Sequence, residues 1–340
     1  MAKQKKAVTI IEVARQAGVS ISTVSRVLNN PGIVRADTRD RVQAVISELN
    51  FIPDSMARGL GSKSMRTVAI IVPNIVNSSM AEIVRGAMSV FREHDVDTML
   101  FNSEEDPDME RRHYEYLAAN MIHGVIFITS CGADVDFPRI AGSMPVVLVD
   151  REERYPRVDS FLPNDAQGIA ALYNHLKEQG HTRIAMIPGK ESTRGAQRRL
   201  AAFQDMLKED GLELTEDLVE FCPWSMEGGR EAFRRLRDRN PRFTALICGS
   251  DGLALGAMGL AYELGLRIPE DLAITGFDNA PEGAYMSPSL TTLDFPNFRM
   301  GCDAARAVMR RYEDMNRPAE YASYPLHLKV RSSSTGSHRG

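Results

Sequence analysis

Eight short apolar runs recur through residues 67–278 with amphipathic stretches between them, and that alternation leaves few folds open. "TVAIIVP", "VDTMLF", "GVIFIT" and "PVVLVD" form a first series; "RIAMIPG", "LVEFCP", "TALICGS" and "LAITGFD" form a second. Helical patterns such as "MAEIVRGAMSVFREH" lie between them. A strand apolar at nearly every position is covered on both faces, the condition of a parallel sheet crossed by helices. The predicted fold class for this body is therefore α/β, two lobes each built on a doubly wound parallel sheet. Ligands of such sheets sit in the crevice beyond the carboxyl ends of the strands. Asp150, Asp251 and Asp278 each stand just past an apolar run, and "GKESTRGAQRR" adds Lys190, Arg194, Arg198 and Arg199.

The first 66 residues read differently. They hold 11 Lys/Arg against 5 Asp/Glu, whereas the whole chain carries a net charge of −4, so a basic head precedes an acidic body. That asymmetry points to a polyanionic partner for the head alone. "TIIE", Thr9 to Glu12, has the form of a capping box. It opens a helix with Ile11, Ala14 and Ala17 facing inward, and Gly18 stops it. Ser20 is placed to cap a second helix, Ile21 to about Leu28, which "NNPG" ends. A third carries Val42, Val45, Ile46 and Leu49 inward and stops before Pro53. Two short helices on a glycine turn, braced by a third, spell an all-α helix-turn-helix.

At 100° per residue, Val24, Val27 and Leu28 of the second helix share one side. Ser22, Ser25, Arg26 and Asn29 share the other, with Ile21 at the edge. The outer side lacks acid, as a helix entering a DNA groove requires. Ser20, Thr23 and Ser25 are phosphate donors, and Arg26 suits a guanine edge or a phosphate. In "NFIPDSMARGLGS", Asp54 or Ser55 can cap a helix of only about two turns with Met56, Ala57 and Leu60 aligned. So short a helix needs a partner, and it reads as a hinge that orders on binding.

"TIIEVARQAGVSISTVSRVLNN", "TRDRV", "ELNFIPDSMARGL", "GFDN" and "LTTL" together resemble the LacI/GalR family of bacterial transcription regulators, through nearly the whole chain. The resemblance implies a body like that of periplasmic sugar-binding proteins. It implies that Ile21, Ser22 and Arg26 read bases, with Thr9, Ser20, Thr23, Ser25 and Asn29 near phosphates. The hinge adds Ala57 and Leu60 to the DNA contacts, Leu60 wedging into the minor groove at the operator centre. Ala36 stands where the family has a capping serine, leaving that cap to Asp37 or Thr38. For the crevice, the resemblance makes Arg199 and Asp278 the paired residues that bind ligand hydroxyls or carboxylate, and sets Trp224, the only tryptophan, against the ligand. A core or lobe-interface role is the alternative for Trp224, and helix capping or lobe bracing for Asp150 and Asp251. Ser78, Ser79 and Met80 replace the family's aromatic platform; with the arginines nearby, this favours a sugar acid or sugar phosphate over a neutral sugar.

The expected organisation is a helix-turn-helix domain at 1–50, a hinge at 51–65, a first lobe at 66–163 plus 292–326, a second lobe at 164–291 and a flexible tail at 331–340. The polar tail lacks apolar heptads, so a homodimer is expected, not a tetramer joined by a coiled coil. Cys131, Cys222, Cys248 and Cys302 form no C-x-x-C pair and read as small buried residues of a reducing compartment. Glu12 and Arg15 break the only early apolar run, and no stretch approaches the roughly 20 apolar residues that span a bilayer. The expectation is a cytoplasmic protein away from membranes. "GKES" lacks the P-loop pattern, and H-E-x-x-H and G-x-S-x-G are absent, which points away from an enzyme and from a cofactor. The expected partners are double-stranded operator DNA and a small-molecule effector (a sugar, sugar acid or sugar phosphate), with repression of a carbohydrate or related metabolite operon the expected outcome. Control by a protein partner, or a solute-binding transport module, are the alternatives.

Overall fold

A computed structural model describes residues 8–49, 51, 65, 67–120, 122–129, 135–239 and 242–335. The chain divides into two compact units, Met1–Ser64 and Met65–Gly340.

The first unit holds helices Ile10–Ala17, Ile21–Asn29 and Ala36–Glu48. Val13, Ala14, Ala17, Val24, Val27, Val42, Val45 and Phe51 form its core, with Ile46 and Leu49 packed against it. Gly18 ends the first helix with φ 67°, and the Val19 N–H closes onto the Ala14 carbonyl at 3.0 Å. A left-handed residue there lets the chain reverse without a Cβ clash. Ser20 caps the second helix by accepting the Thr23 N–H at 3.1 Å. Three details differ from expectation. Ile11 is 63% exposed, its inward place taken by Val13. Thr9 stands at the first helix's N-cap but makes no side-chain cap bond, and Glu12 faces Arg15 at 3.5 Å. The third helix starts at Ala36 behind Arg35, without a side-chain cap, so Asp37 lies in its first turn and neither it nor Thr38 caps it.

The second unit is α/β. Its strands are β1 (Thr67–Val72), β2 (Asp97–Asn102), β3 (Val125–Ile128), β4 (Val146–Val149), β5 (Val158–Pro163), β6 (Ile184–Ile187), β7 (Ala245–Cys248), β8 (Ala273–Thr275), β9 (Thr292–Asp294), β10 (Tyr321–Tyr324) and β11 (His327–Lys329). The larger sheet runs β10-β5-β4-β3-β1-β2 and the smaller β6-β7-β8; β11 and β9 form a separate pair. Every pairing in the two larger sheets is parallel, and β11 meets β9 antiparallel. β1, β3, β4, β6, β7 and β8 are buried almost throughout, which explains their unbroken apolar sequences. β2 is an edge strand and only half covered.

"LVEFCP" is not a strand: Leu218 ends a 3-10 turn, Val219 makes one isolated bridge to Met186, and Leu218 and Cys222 supply burial from a loop. The tail expected from 331 does not begin there either. Ser333 and Ser334 are fully buried, and the Ile274 N–H donates to the Ser333 carbonyl at 3.0 Å beside β8. Residues 336–340, like the hinge residues Ala57 and Leu60, lie outside the described residues.

Two features hold the larger lobe together. Asp159 of β5 and Arg311 of helix Asn297–Glu313 form a bidentate ion pair at 2.6 and 2.8 Å, with neither side chain exposed. Helix Ser78–Glu93 crosses the same helix at Gly86 and Gly301. A Cβ on Gly86 would meet the Phe298 carbonyl, and one on Gly301 the Ile83 carbonyl. Both obstacles are backbone, so a side chain forces the helices apart. Gly86→Ala is expected to cost about 1–3 kcal/mol, read as a shift in the urea midpoint at unchanged m-value.

Candidate functional site

On the second helix of the head, the core side holds Val24 and Val27, with Leu28 against it. Opposite, Ile21 is 48% exposed and Ser22 and Arg26 are exposed, while Thr23 and Ser25 are half-buried. The Ser20 hydroxyl also bonds those of Ser22 and Thr23, each at 2.8 Å, fixing a cluster of hydroxyls at the helix N-terminus. No acidic residue occupies the first turn, and Arg26 has no ion-pair partner among the described residues. An exposed guanidinium, short hydroxyls and the positive end of the helix dipole make this face suited to an anionic groove. Thr9 lies just before the first helix and Asn29 ends the second.

In the body, Asp150, Arg199, Trp224, Asp278 and Ser79, chosen from sequence, all line one cleft of about 820 Å³ including its open mouth. The cleft sits where the strands of both lobes end. Glu105, Thr129, Asp150 and Asp278 on its wall are non-glycine residues with positive φ (59°, 48°, 58° and 116°). Strained backbone of this kind collects at functional sites. Glu105 and Thr129 were not singled out from sequence, although each follows a strand as Asp150 does. Lys190 and Phe295 complete the notable lining, Phe295 supplying aromatic surface that Ser79 and Met80 lack.

The charges are largely matched. Arg198 bridges Asp150 and Asp165, at 2.7 Å to the latter. Arg199 meets Asp165 at 3.2 Å and donates to the Gly249 carbonyl, so its direct ion-pair partner is Asp165, while Arg199 and Asp278 both line the cleft. Its guanidinium lies 3.8 Å from the Phe277 ring centre and 5.7 Å from that of Trp224. Lys190 faces Glu105 at 3.7 Å. Lys190, Arg198 and Arg199 are thus already answered within the protein, whereas Arg194 is exposed and no part of the cleft lining. The Asp278 carboxylate makes no hydrogen bond among the described residues. Burial pushes its pKa well above the aspartate range, with Arg199 opposing and Asp251, Asp150 and Asp165 adding to the rise. Burial likewise raises Asp150, against the pull of Arg198. Trp224 rests on Gly189, where a Cβ would strike its ring, and its indole N–H reaches Thr193 at 3.3 Å.

Asp251 is a brace, not part of the cleft lining. Its buried carboxylate accepts the Ala280 N–H and the Thr292 hydroxyl, both at 2.6 Å, and burial lifts its pKa to about 7 against those donors. Among the described residues no group of three metal-ligating side chains converges, and no helix is long and apolar enough to cross a membrane.

A helix-turn-helix head and a two-lobed body with a cleft at the strand ends define a class: DNA-binding transcription regulators with a periplasmic-binding-protein-like core. Residues 9–54 match the model of bacterial regulatory proteins of the lacI family, and residues 173–334 that of the periplasmic binding protein-like domain. The ribose operon repressor of Halalkalibacterium halodurans is 32% identical, over 96% of this chain and 97% of its own. The transcriptional regulator DegA of Bacillus subtilis is 30% identical, over 96% and 98%. The solved complex of the regulator CelR with cellobiose has a TM-score of 0.72 at 28% identity, covering 96% of this chain and 99% of that one. The chain belongs to the lacI family of bacterial regulatory proteins.

Proposed function

We propose that this regulator binds a pseudopalindromic operator as a homodimer in the cytoplasm and represses transcription under control of a small hydroxyl-rich metabolite held between its lobes. The observation that carries the reading is the union, in one chain, of an acid-free capped helix face with a cleft at the strand ends that sets Asp150, Arg199 and Asp278 among apolar side chains. Ile21, Ser22 and Arg26 reach base edges, while Thr9, Ser20, Thr23, Ser25 and Asn29 contact phosphates. Ala57 and Leu60 contribute from the hinge. In the cleft, Asp278 and Asp150 accept ligand hydroxyls, Arg199 and Ser79 donate, and Trp224 packs on the apolar face of the ring. With Arg198, Arg199 and Lys190 already paired, hydroxyls are a better match than a second anion. This protein is also similar to a repressor named for ribose and to a regulator solved with cellobiose, both consistent with a carbohydrate.

Ligand control requires only that the effector bind one lobe arrangement better than the other. Footprinting on a palindromic promoter site, repeated with a panel of neutral sugars, sugar acids and sugar phosphates, tests both halves. Operator affinity is expected to fall about 10³-fold or more between 50 and 200 mM salt as phosphate contacts release counterions, and one neutral sugar is expected to change it at fixed salt. A flat salt response defeats the DNA assignment; control only by a protein partner defeats the effector assignment.

A further inference from the structure

Asp278 and Asn279 are consecutive non-glycine residues with positive φ, 116° and 53°. Backbone like this persists only where the surroundings over-determine it. Asp278 lines the cleft, but Asn279 does not, and its amide is held away from the cavity. Asn279 Nδ2 donates to Asp294 Oδ1 at 3.0 Å, and its Oδ1 accepts from Arg331 Nη2 at 2.6 Å. Arg331 Nη1 donates to the Leu290 carbonyl at 2.7 Å, and the Arg331 N–H bonds the Thr291 hydroxyl at 2.8 Å. The backbone is anchored too: the Asp278 N–H reaches the Leu293 carbonyl and the Asn279 N–H the Thr292 hydroxyl, each at 3.2 Å. Arg331 is itself no part of the cleft lining.

We propose that Arg331 is a positioning residue for the cleft: by clamping the Asn279 amide it holds the 278–279 turn left-handed and keeps the Asp278 carboxylate on the cleft wall. The guanidinium suits the task because one planar group reaches two acceptors at once, which an ammonium on a flexible stem does not. The consequence for affinity rests on the cleft being the effector site; the clamp itself does not.

Crystal structures of the full chain carrying Arg331→Met, and Arg331→Met with Asn279→Gly, test it directly. In the single variant, φ at 278 and 279 is expected to turn negative and the Asp278 carboxylate to leave the wall. In the double variant the turn is expected to return, because glycine adopts positive φ unaided. D-ribose and cellobiose are titrated in parallel, with fluorescence of Trp224, the chain's only tryptophan, as the signal. For a sugar that titrates the unmodified protein, Kd is expected to rise at least tenfold in the single variant and to recover in the double. An unchanged 278–279 turn in Arg331→Met overturns the proposal, as does a tenfold loss that Asn279→Gly leaves in place. If neither sugar titrates the unmodified protein, the choice of effector fails while the crystal geometry still decides the clamp. Should Arg331→Met not fold, Arg331→Lys keeps the charge, loses the fork and carries the same expectations.

Discussion

Arg311→Met is expected to lower the free energy of unfolding by about 3–5 kcal/mol, because it leaves a carboxylate buried without its cation. Asp159 and Arg311 are both fully enclosed, so neither water nor salt is at hand to replace the lost partner. Arg311 also donates to the carbonyls of Arg317 at 2.9 Å and Pro318 at 3.1 Å, and Asp159 accepts the Glu320 N–H at 2.8 Å. The pair thus fixes the turn that delivers β10 to the edge of the larger sheet. Adding Asp159→Leu is expected to recover part of the loss, since removing both charges ends the electrostatic penalty but leaves three backbone groups without partners. Urea unfolding of the two single variants and the double variant closes the cycle. A loss below about 1 kcal/mol for Arg311→Met would mean that the pair behaves like a surface bridge.

Arg26→Ala is expected to weaken operator binding by about 1–3 kcal/mol per half-site, so by roughly 30-fold or more for a symmetric dimer occupying two. The side chain is exposed, with no ion-pair partner among the described residues, so stability is expected to stay put while affinity falls. Arg26→Lys separates two roles. If Arg26 grips a guanine with both nitrogens, lysine keeps the charge but loses the fork, and binding drops with relaxed preference at one base pair. If Arg26 only meets a phosphate, lysine restores affinity. Gel-shift titrations at fixed salt, on the intact site and on singly substituted sites, distinguish them.

Much of the fold is legible in the residues because burial on both faces writes a strand as unbroken apolar sequence. β1, β3, β4 and β6 to β8 are of that kind. β5, "VDSFLP", escapes because Asp159 interrupts it, and the cation that permits its burial lies 152 residues away. "LVEFCP" misleads for the opposite reason: an apolar loop segment and a short strand bury side chains equally well, and only hydrogen-bonding partners tell them apart. "VRSSST" looks like a solvated tail, yet the Ser333 hydroxyl bonds the Ile274 carbonyl and that of Ser334 bonds Thr291 and His175. Within the cleft, the rule that ligands gather past strand ends picks out Asp150 and Asp278, and applied to every strand it also picks out Glu105 and Thr129. The pairing of Arg199 with Asp165 is not readable, because Asp165 opens a helix and looks like an ordinary first-turn acid.

The closing pieces of both lobes come from the same late stretch of chain. Helix Asn297–Glu313 and β10 complete the larger sheet, and Ser333 lies along β8 of the smaller one. The larger lobe can therefore not finish until synthesis has passed residue 324, nor the smaller until it has passed residue 333, and shorter nascent chains expose unpaired strand edges. Premature stops near the end should then yield aggregation-prone products, not partly active ones.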